Sequence, residues 1–374
     1  MGLTTRTTRG AVLALSLILT SALPGAPDTD TSGGPDPVAR VRAEIASVRH
    51  SLEEKPIAGP GTEGLGPAIS GALDASTAAL DAGRLYLSLQ GFQRAESLLH
   101  AARFSSEKEA AVASGLPAFE SEWAAVSRAL ETGDRAPGDG RWRQSRAAIR
   151  ALAEVSEGRI GPLLEGARGF AVATGPKDGL LYMGQARGEA AFAALCATLT
   201  FDTKMEPYPL RSMLPELLQM RDKATAAFVP PRSVDLHDRF IALNSSVKAG
   251  LELDASEAYA GSAYQYLEAV RHYGMLDASP LDEPAQAKVK EDLAAARARI
   301  DTSKRDESLA QIFLERAASQ VAHADGSAPT VDEWRSARVI LDQVLPAYFA
   351  APVPAPKGTS DKTVRMTLLR WPYT

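Results

Sequence analysis

Cysteine is nearly absent: Cys196 stands alone among 374 residues, so no intramolecular disulfide can brace the fold. It sits in the apolar run AAFAALCATL, where a buried, inert thiol is the expectation. Histidine is scarce and scattered. His50, His100, His237, His272 and His323 contain no pair three or four apart and no H-E-x-x-H. The one compact group of His and acid, Asp235, His237 and Asp238, fans over different faces of a helix and reads as a solvated surface. A G-x-S-x-G elbow, a G-x-x-x-x-G-K-[ST] loop and a Gly-rich turn after a strand are missing too. The sequence therefore assigns no catalytic residue, no metal ligand and no cofactor. Basic charge is in deficit, with 41 Lys and Arg against 46 Asp and Glu and no basic stripe, which argues against nucleic acid as a partner.

Long apolar runs are also lacking. The stretch Ala11–Leu19 is too short for a membrane span. Arg6 and Arg9 precede it and Thr20-Ser21-Ala22 follows, the pattern of a secretory signal with its cleavage site. Removal of residues 1–22 is expected, because a cut after Ala26 would put Pro27 beside the scissile bond. What remains has 39 basic and 46 acidic residues, a formal charge of −7. The expected location is periplasmic or secreted, with no integral membrane span after processing. Residues 23–35 (LPGAPDTDTSGGP) form a linker with nothing to bury.

What is present is alanine, leucine, arginine and glutamate in quantity, within a hydrophobic content of 45%. That composition favours helix and predicts an all-α fold. Asp36-Pro37 opens the first helix as cap and first residue, and Val38, Val41, Ile45, Val48 and Leu52 mark its inner face. Internal repetition then appears. Gly66-Pro67, Gly71-Ala72, Gly83, Leu85-Tyr86, Ala95, Leu99 and Ala101 recur as Gly161-Pro162, Gly166-Ala167, Gly179, Leu181-Tyr182, Ala191, Leu195 and Ala197. Such self-similarity points to stacked helical units. The first copy reads as a helix from Pro67 to about Leu89, a break at Gln90-Gly91, and a helix from Phe92 to about Arg103. The second adds a leading helix from Trp142 to about Val155, ahead of Gly161-Pro162. In a weaker third echo, Leu253-Asp254-Ala255-Ser256 matches Leu73-Asp74-Ala75-Ser76, and Gly261 with Tyr264 matches Gly83 with Tyr86.

The domain reading is a first repeat unit with linker helices at 36–132 and a second unit at 141–200. A C-terminal helical region with the third echo follows at 212–351, then a Pro-rich spacer and extended tail at 352–374. Thr330 and Glu333 form a capping box for the last helix. The fold expected is a helical-hairpin solenoid or bundle of ten to thirteen helices, ending in a short extended segment. Residues 82–102 resemble a tetratricopeptide repeat, carried by Gly83, Tyr86, Phe92, Ala95, Leu99 and Ala102. The resemblance covers about 40 residues with its second copy and implies helical hairpins and, by analogy of fold, protein binding.

Acidic pairs such as Glu53-Glu54 and Glu107/Glu109 read as solvated faces. The distinctive surface chemistry is aromatic and basic: Tyr259, Tyr266 and Tyr273 share one helical stripe with Arg271 beside them, and Trp371 lies in an apolar tail. These five residues are the candidate interaction surface. The function expected is a non-enzymatic envelope scaffold that binds another envelope protein or peptide. The rival is a helical enzyme or ligand-binding protein acting on a cell-wall or carbohydrate substrate.

Overall fold

Asp36 caps the first helix as its sequence requires, accepting a hydrogen bond from the Val38 N–H at 3.1 Å. That helix, α1 (Pro37–Glu54), buries Val41, Ile45 and Val48 on its inner face. The computed structural model describes residues 36–57, 62, 64–132, 145–201, 205–323 and 326–350. The expected signal, the 23–35 linker, the 133–140 loop and the 352–374 spacer and tail lie outside the described residues. Among the described residues the chain is all-α with no strand, and extended pairing is limited to an isolated parallel bridge between Glu206 and Arg305.

Three helical hairpins dominate. The first joins α2 (Leu65–Asp81) to α3 (Leu85–Lys108) through Gly83 at φ +70°, and α4 (Leu116–Thr132) follows. The second joins α5 (Ala147–Ala173) to α6 (Pro176–Thr198) through Gly175 at φ +130°. After α7 (Leu214–Ala227) and the short α8 (Arg232–Asp235), the third joins α9 (His237–Ala255) to α10 (Tyr259–Gly274) through Glu257. Connections this short force each pair to lie antiparallel. The chain closes with α11 (Glu283–Asp301), α12 (Ser308–Val321) and α13 (Val331–Val339), which runs through a π-helical turn, Ile340–Val344, into α14 (Leu345–Phe349).

Helix α6 packs against both α5 and α3, while α5 turns its other side to α10. Helix α12 lies across α3 and α5, α7 covers α9, and α4 covers α5 and α6. One continuous core runs from Val41 on α1 through Leu89, Leu152, Phe240 and Phe313 to Tyr348 on α14. A second, smaller core gathers Phe119, Leu164, Leu180 and Met183 beneath α4.

The repeat boundaries differ from those read in the sequence. Helix α3 is unbroken from Leu85 to Lys108, so no turn occurs at Gln90-Gly91. Gly91 instead admits α2, whose Ser76 Cα would stand 3.2 Å from a Cβ placed there. The residues that carry the tetratricopeptide resemblance therefore fall on one turn and one helix, not on two helices. Gly161-Pro162 does not end a helix either; Pro162 lies inside α5. Both residues are exposed, as is Gly158, whose carbonyl loses its usual i+4 partner to proline. Buried Ile149, Leu152 and Val155 hold the other face in place.

Gly83 and Gly179 align in sequence but differ in structure. Gly83 makes a turn with open space around it, whereas Gly179 lies within α6, where a Cβ would come within 2.6 Å of the Ala167 carbonyl oxygen and Phe119. The second hairpin turns about one helical turn earlier relative to its repeated residues. The third echo diverges likewise: Asp74 is an exposed partner of Arg49, while Asp254 is buried.

Helix α3 crosses α6 with backbone close to backbone. A Cβ at Gly184 would stand 2.5 Å from the Ala101 Cα, and one at Gly188 2.6 Å from the Ser97 Cα. Backbone cannot yield as a flexible side chain does, so Gly184→Ala and Gly188→Ala should each destabilise by about 1–3 kcal/mol. Gly83→Ala should cost about 1–2 kcal/mol through its left-handed backbone alone. Gly71→Ala, at an open helical position, should gain up to about 1 kcal/mol. Denaturant unfolding of the four variants checks this pattern of signs.

Candidate functional site

The aromatic stripe on α10 is mostly structural in its surroundings. Tyr266 and Tyr273 are half-buried and pack against the main core, and Tyr259 is half-buried at the start of the helix. Arg271 does not extend from the surface; its Nε donates to Glu268 at 2.9 Å. Glu268 anchors a buried cluster that also holds Arg316, Tyr264 and Gln90. Gln90 donates to the Tyr264 hydroxyl at 2.8 Å, which donates in turn to Glu268 at 2.9 Å. Burial would raise the Glu268 carboxyl, but Arg316 and Arg271 outweigh it and hold the group well below the usual carboxylate range. Burial, then Arg271, lowers His272 to about 4. This cluster ties α3, α10 and α12 together. Trp371 lies outside the described residues. His237 and Asp238 are exposed at the start of α9, and no group of three metal-ligating side chains occurs among the described residues.

Four of the other buried carboxylates share one task. Helices α3, α5, α7 and α10 begin without a side-chain cap of their own. In each case a buried acid from elsewhere accepts the orphan N–H. Glu315 on α12 accepts from Leu87 at 2.9 Å, and Asp306 accepts from Ala147 at 2.7 Å. Glu154 on α5 accepts from Gly261 at 2.7 Å, and Asp254 on α9 accepts from Met213 at 2.6 Å. A carboxylate at a helix N-terminus also meets the positive end of the helix dipole. The acidic residues singled out in the sequence, Glu53, Glu54, Glu107 and Glu109, are exposed as expected.

Two depressions flank the outer face of α9. On one side a groove of about 700 Å³ runs between α7 and α9, lined by Phe228, Phe240, Ile241, Val247 and Leu251. Phe228 meets Phe240 edge-on at 5.1 Å, yet Phe228 and Ile241 remain 49% and 51% exposed. Val229 and Val234, on the connection and α8 that follow Phe228, are 54% and 72% exposed. Large apolar groups gathered in this way form a patch that solvent alone does not favour. Arg221, His237 and Lys248 give the groove a mainly basic lining, with Glu252 the acid among them.

On the other side a cleft of about 720 Å³ separates α5 and α6 from α9 and α10. Its floor includes Val155, Ala249 and Leu253, and its walls carry Tyr182, Gln185, Glu189 and Gln265. Ser245, Lys248 and Glu252 border both depressions. Sequence reasoning missed both sites. The signal available was the second apolar direction on α9, where Ile241 departs from the buried line of Phe240, Leu243 and Val247. No family model, curated protein or solved structure matches this chain.

The caps carry a measurable pH signature. Glu315 has no cationic partner within salt-bridge distance among the described residues, and burial raises its carboxyl to about 7 against the lowering effect of the Leu87 N–H. Between the ordinary carboxylate value and about 7 the folded state therefore holds a proton that the unfolded state releases. Stability from this group is greatest at acid pH and falls as pH rises through that window. Glu315→Gln keeps an acceptor for Leu87 without the charge. Its stability relative to wild type should rise between pH 5 and pH 7.5, which denaturant midpoints at several pH values would record; a constant difference would contradict the burial argument.

Proposed function

We propose that this chain is a non-enzymatic helical scaffold of the secreted or periplasmic space that binds another envelope protein. The binding surface is the α7–α9 groove, and its occupant is an amphipathic helical segment with an acidic flank. One observation carries the reading: Phe228 and Ile241 line a single groove while about half exposed, and Val229 and Val234, on the segment that follows Phe228, are exposed as well. A helix laid there would bury its apolar stripe against Phe228 and Ile241, in the helix-in-groove mode. An acid on its flank would accept a hydrogen bond from His237, exposed at the start of α9. The secretory pattern at residues 1–22 and the surplus of acid over base support an extracytoplasmic setting. No helix among the described residues is long and apolar enough to cross a membrane.

The test is photocrosslinking in cells of the source organism, with p-benzoylphenylalanine in place of Ile241 and, as a control, in place of Val172 on α5. A partner crosslinked from position 241 and not from 172, and lost with Phe228→Asp, supports the groove. Phe228 is already half exposed, so Phe228→Asp should leave unfolding within about 1 kcal/mol of wild type. Equal labelling from both positions would refute the assignment.

A further inference from the structure

We propose that the cleft between α5–α6 and α9–α10 is a binding site for a neutral, polyhydroxylated oligosaccharide. The site is separate from the α7–α9 groove and does not depend on the reading given to it. The first argument is the unsatisfied amide of Gln265. Its side chain is 8% exposed, lines the cleft and has no side-chain hydrogen bond among the described residues. A primary amide carries two donors and an acceptor. The α10 helix thus presents to the cleft a polar group with no side-chain partner among the described residues.

The second argument is the backbone of α5. Pro162 has no N–H for the carbonyl of Gly158, and both residues line the cleft. An accessible carbonyl freed from the helical ladder is a strong neutral acceptor. The Tyr182 hydroxyl and the Gln185 amide add further uncharged groups on α6.

The third argument concerns charge. The cations at the cleft already face acids, Arg159 lying 3.6 Å from Glu189 and Lys248 3.9 Å from Glu252. Glu189 is further held by a hydrogen bond from Gln93 at 2.7 Å. The groups still open to a ligand are therefore neutral donors and acceptors together with the exposed Glu165 carboxylate, which can accept from a hydroxyl. They stand over an apolar floor of Val155, Ala249 and Leu253, beside the Tyr182 ring, which is stacked on Phe170 with centroids 4.5 Å apart. A pyranose matches this combination, with hydroxyls around its edge that both donate and accept, and C–H faces that pack on apolar and aromatic surface. The cleft is open and its volume is in the range of ligand pockets, so several rings of a chain can pass through it.

The experiment titrates the full-length mature protein with three neutral tetrasaccharides, tetra-N-acetylchitotetraose, cellotetraose and maltotetraose, and with N-acetyl-tetra-alanine amide as an uncharged peptide. Calorimetry reads affinity, and the side-chain amide resonances of Gln265, identified by their absence in Gln265→Leu, read location. At least one sugar should bind and move the Gln265 amide pair. Tyr182→Phe and Gln265→Leu should each weaken that sugar by up to about tenfold, with thermal unfolding confirming that both variants fold. Tyr182→Phe removes only a hydroxyl, so it decides the matter should Gln265→Leu fail to fold. Ile241→Asp should leave the sugar titration unchanged, which keeps failure of this site distinct from failure of the α7–α9 groove. No binding of any of the three sugars up to about 10 mM, binding that ignores both variants, or binding of the peptide alone would overturn the proposal.

Discussion

Burying the start of a helix is the constraint on which this structure depends. The first amides of a helix have no partner within it, and losing water from them without a substitute costs about 1–3 kcal/mol each. Four helices here begin at buried or partly buried positions with no cap of their own, and each is answered by a buried carboxylate distant in sequence. Glu315 links α12 to α3, Asp306 fixes the start of α5, Glu154 links α5 to α10, and Asp254 links α9 to α7. Asp306 serves twice, since it also accepts from the Ser308 N–H at the start of α12. The Glu154 bond joins the second hairpin to the third and the other three tie a hairpin to α7, to α12 or to the segment just before α12, so these elements are held in one arrangement by directional contacts as well as by apolar packing.

Helices that start at the surface behave differently. Asp36 caps α1, Asp282 caps α11, and Thr330 with Glu333 forms the box that opens α13, all within three residues of the N–H they serve. The difference follows from solvent: an exposed start can use a short neighbouring side chain with water as the alternative, whereas a buried start needs an acceptor delivered by whatever packs over it. The same carboxylates that look most like acid–base chemistry by burial are thereby committed to architecture.

The two depressions arise from how the third hairpin is seated. Helix α10 docks against α5, and α9 stands outside it with α7 on its far flank. Helix α9 therefore separates a mainly apolar groove from a mixed cleft, and Lys248 and Glu252 on its outer face reach both. The repeated residues contribute to only one of these. Gly161-Pro162, conspicuous in sequence, forms part of the cleft wall, while its counterpart Gly66-Pro67 lies in the first turn of α2.

The all-α class, the start and inner face of α1, and the local caps at Asp36 and Thr330 were legible in the sequence because each depends on neighbours within a few residues. Composition sets helix propensity, apolar spacing sets the inner face, and Asp36 or Thr330 acts within one turn. Whether a glycine bends the chain or admits another helix was not legible. Gly83 turns while Gly91 and Gly184 touch foreign backbone, and only the crossing partner decides between these uses. Pro162 likewise reads as a helix end until the burial of Ile149 and Leu152 shows that packing outweighs one missing hydrogen bond. The grooves, the exposed Phe228 and Ile241 and the unanswered Gln265 belong entirely to tertiary structure. The fate of a side chain there depends on which helix covers it, and that helix comes from another part of the chain.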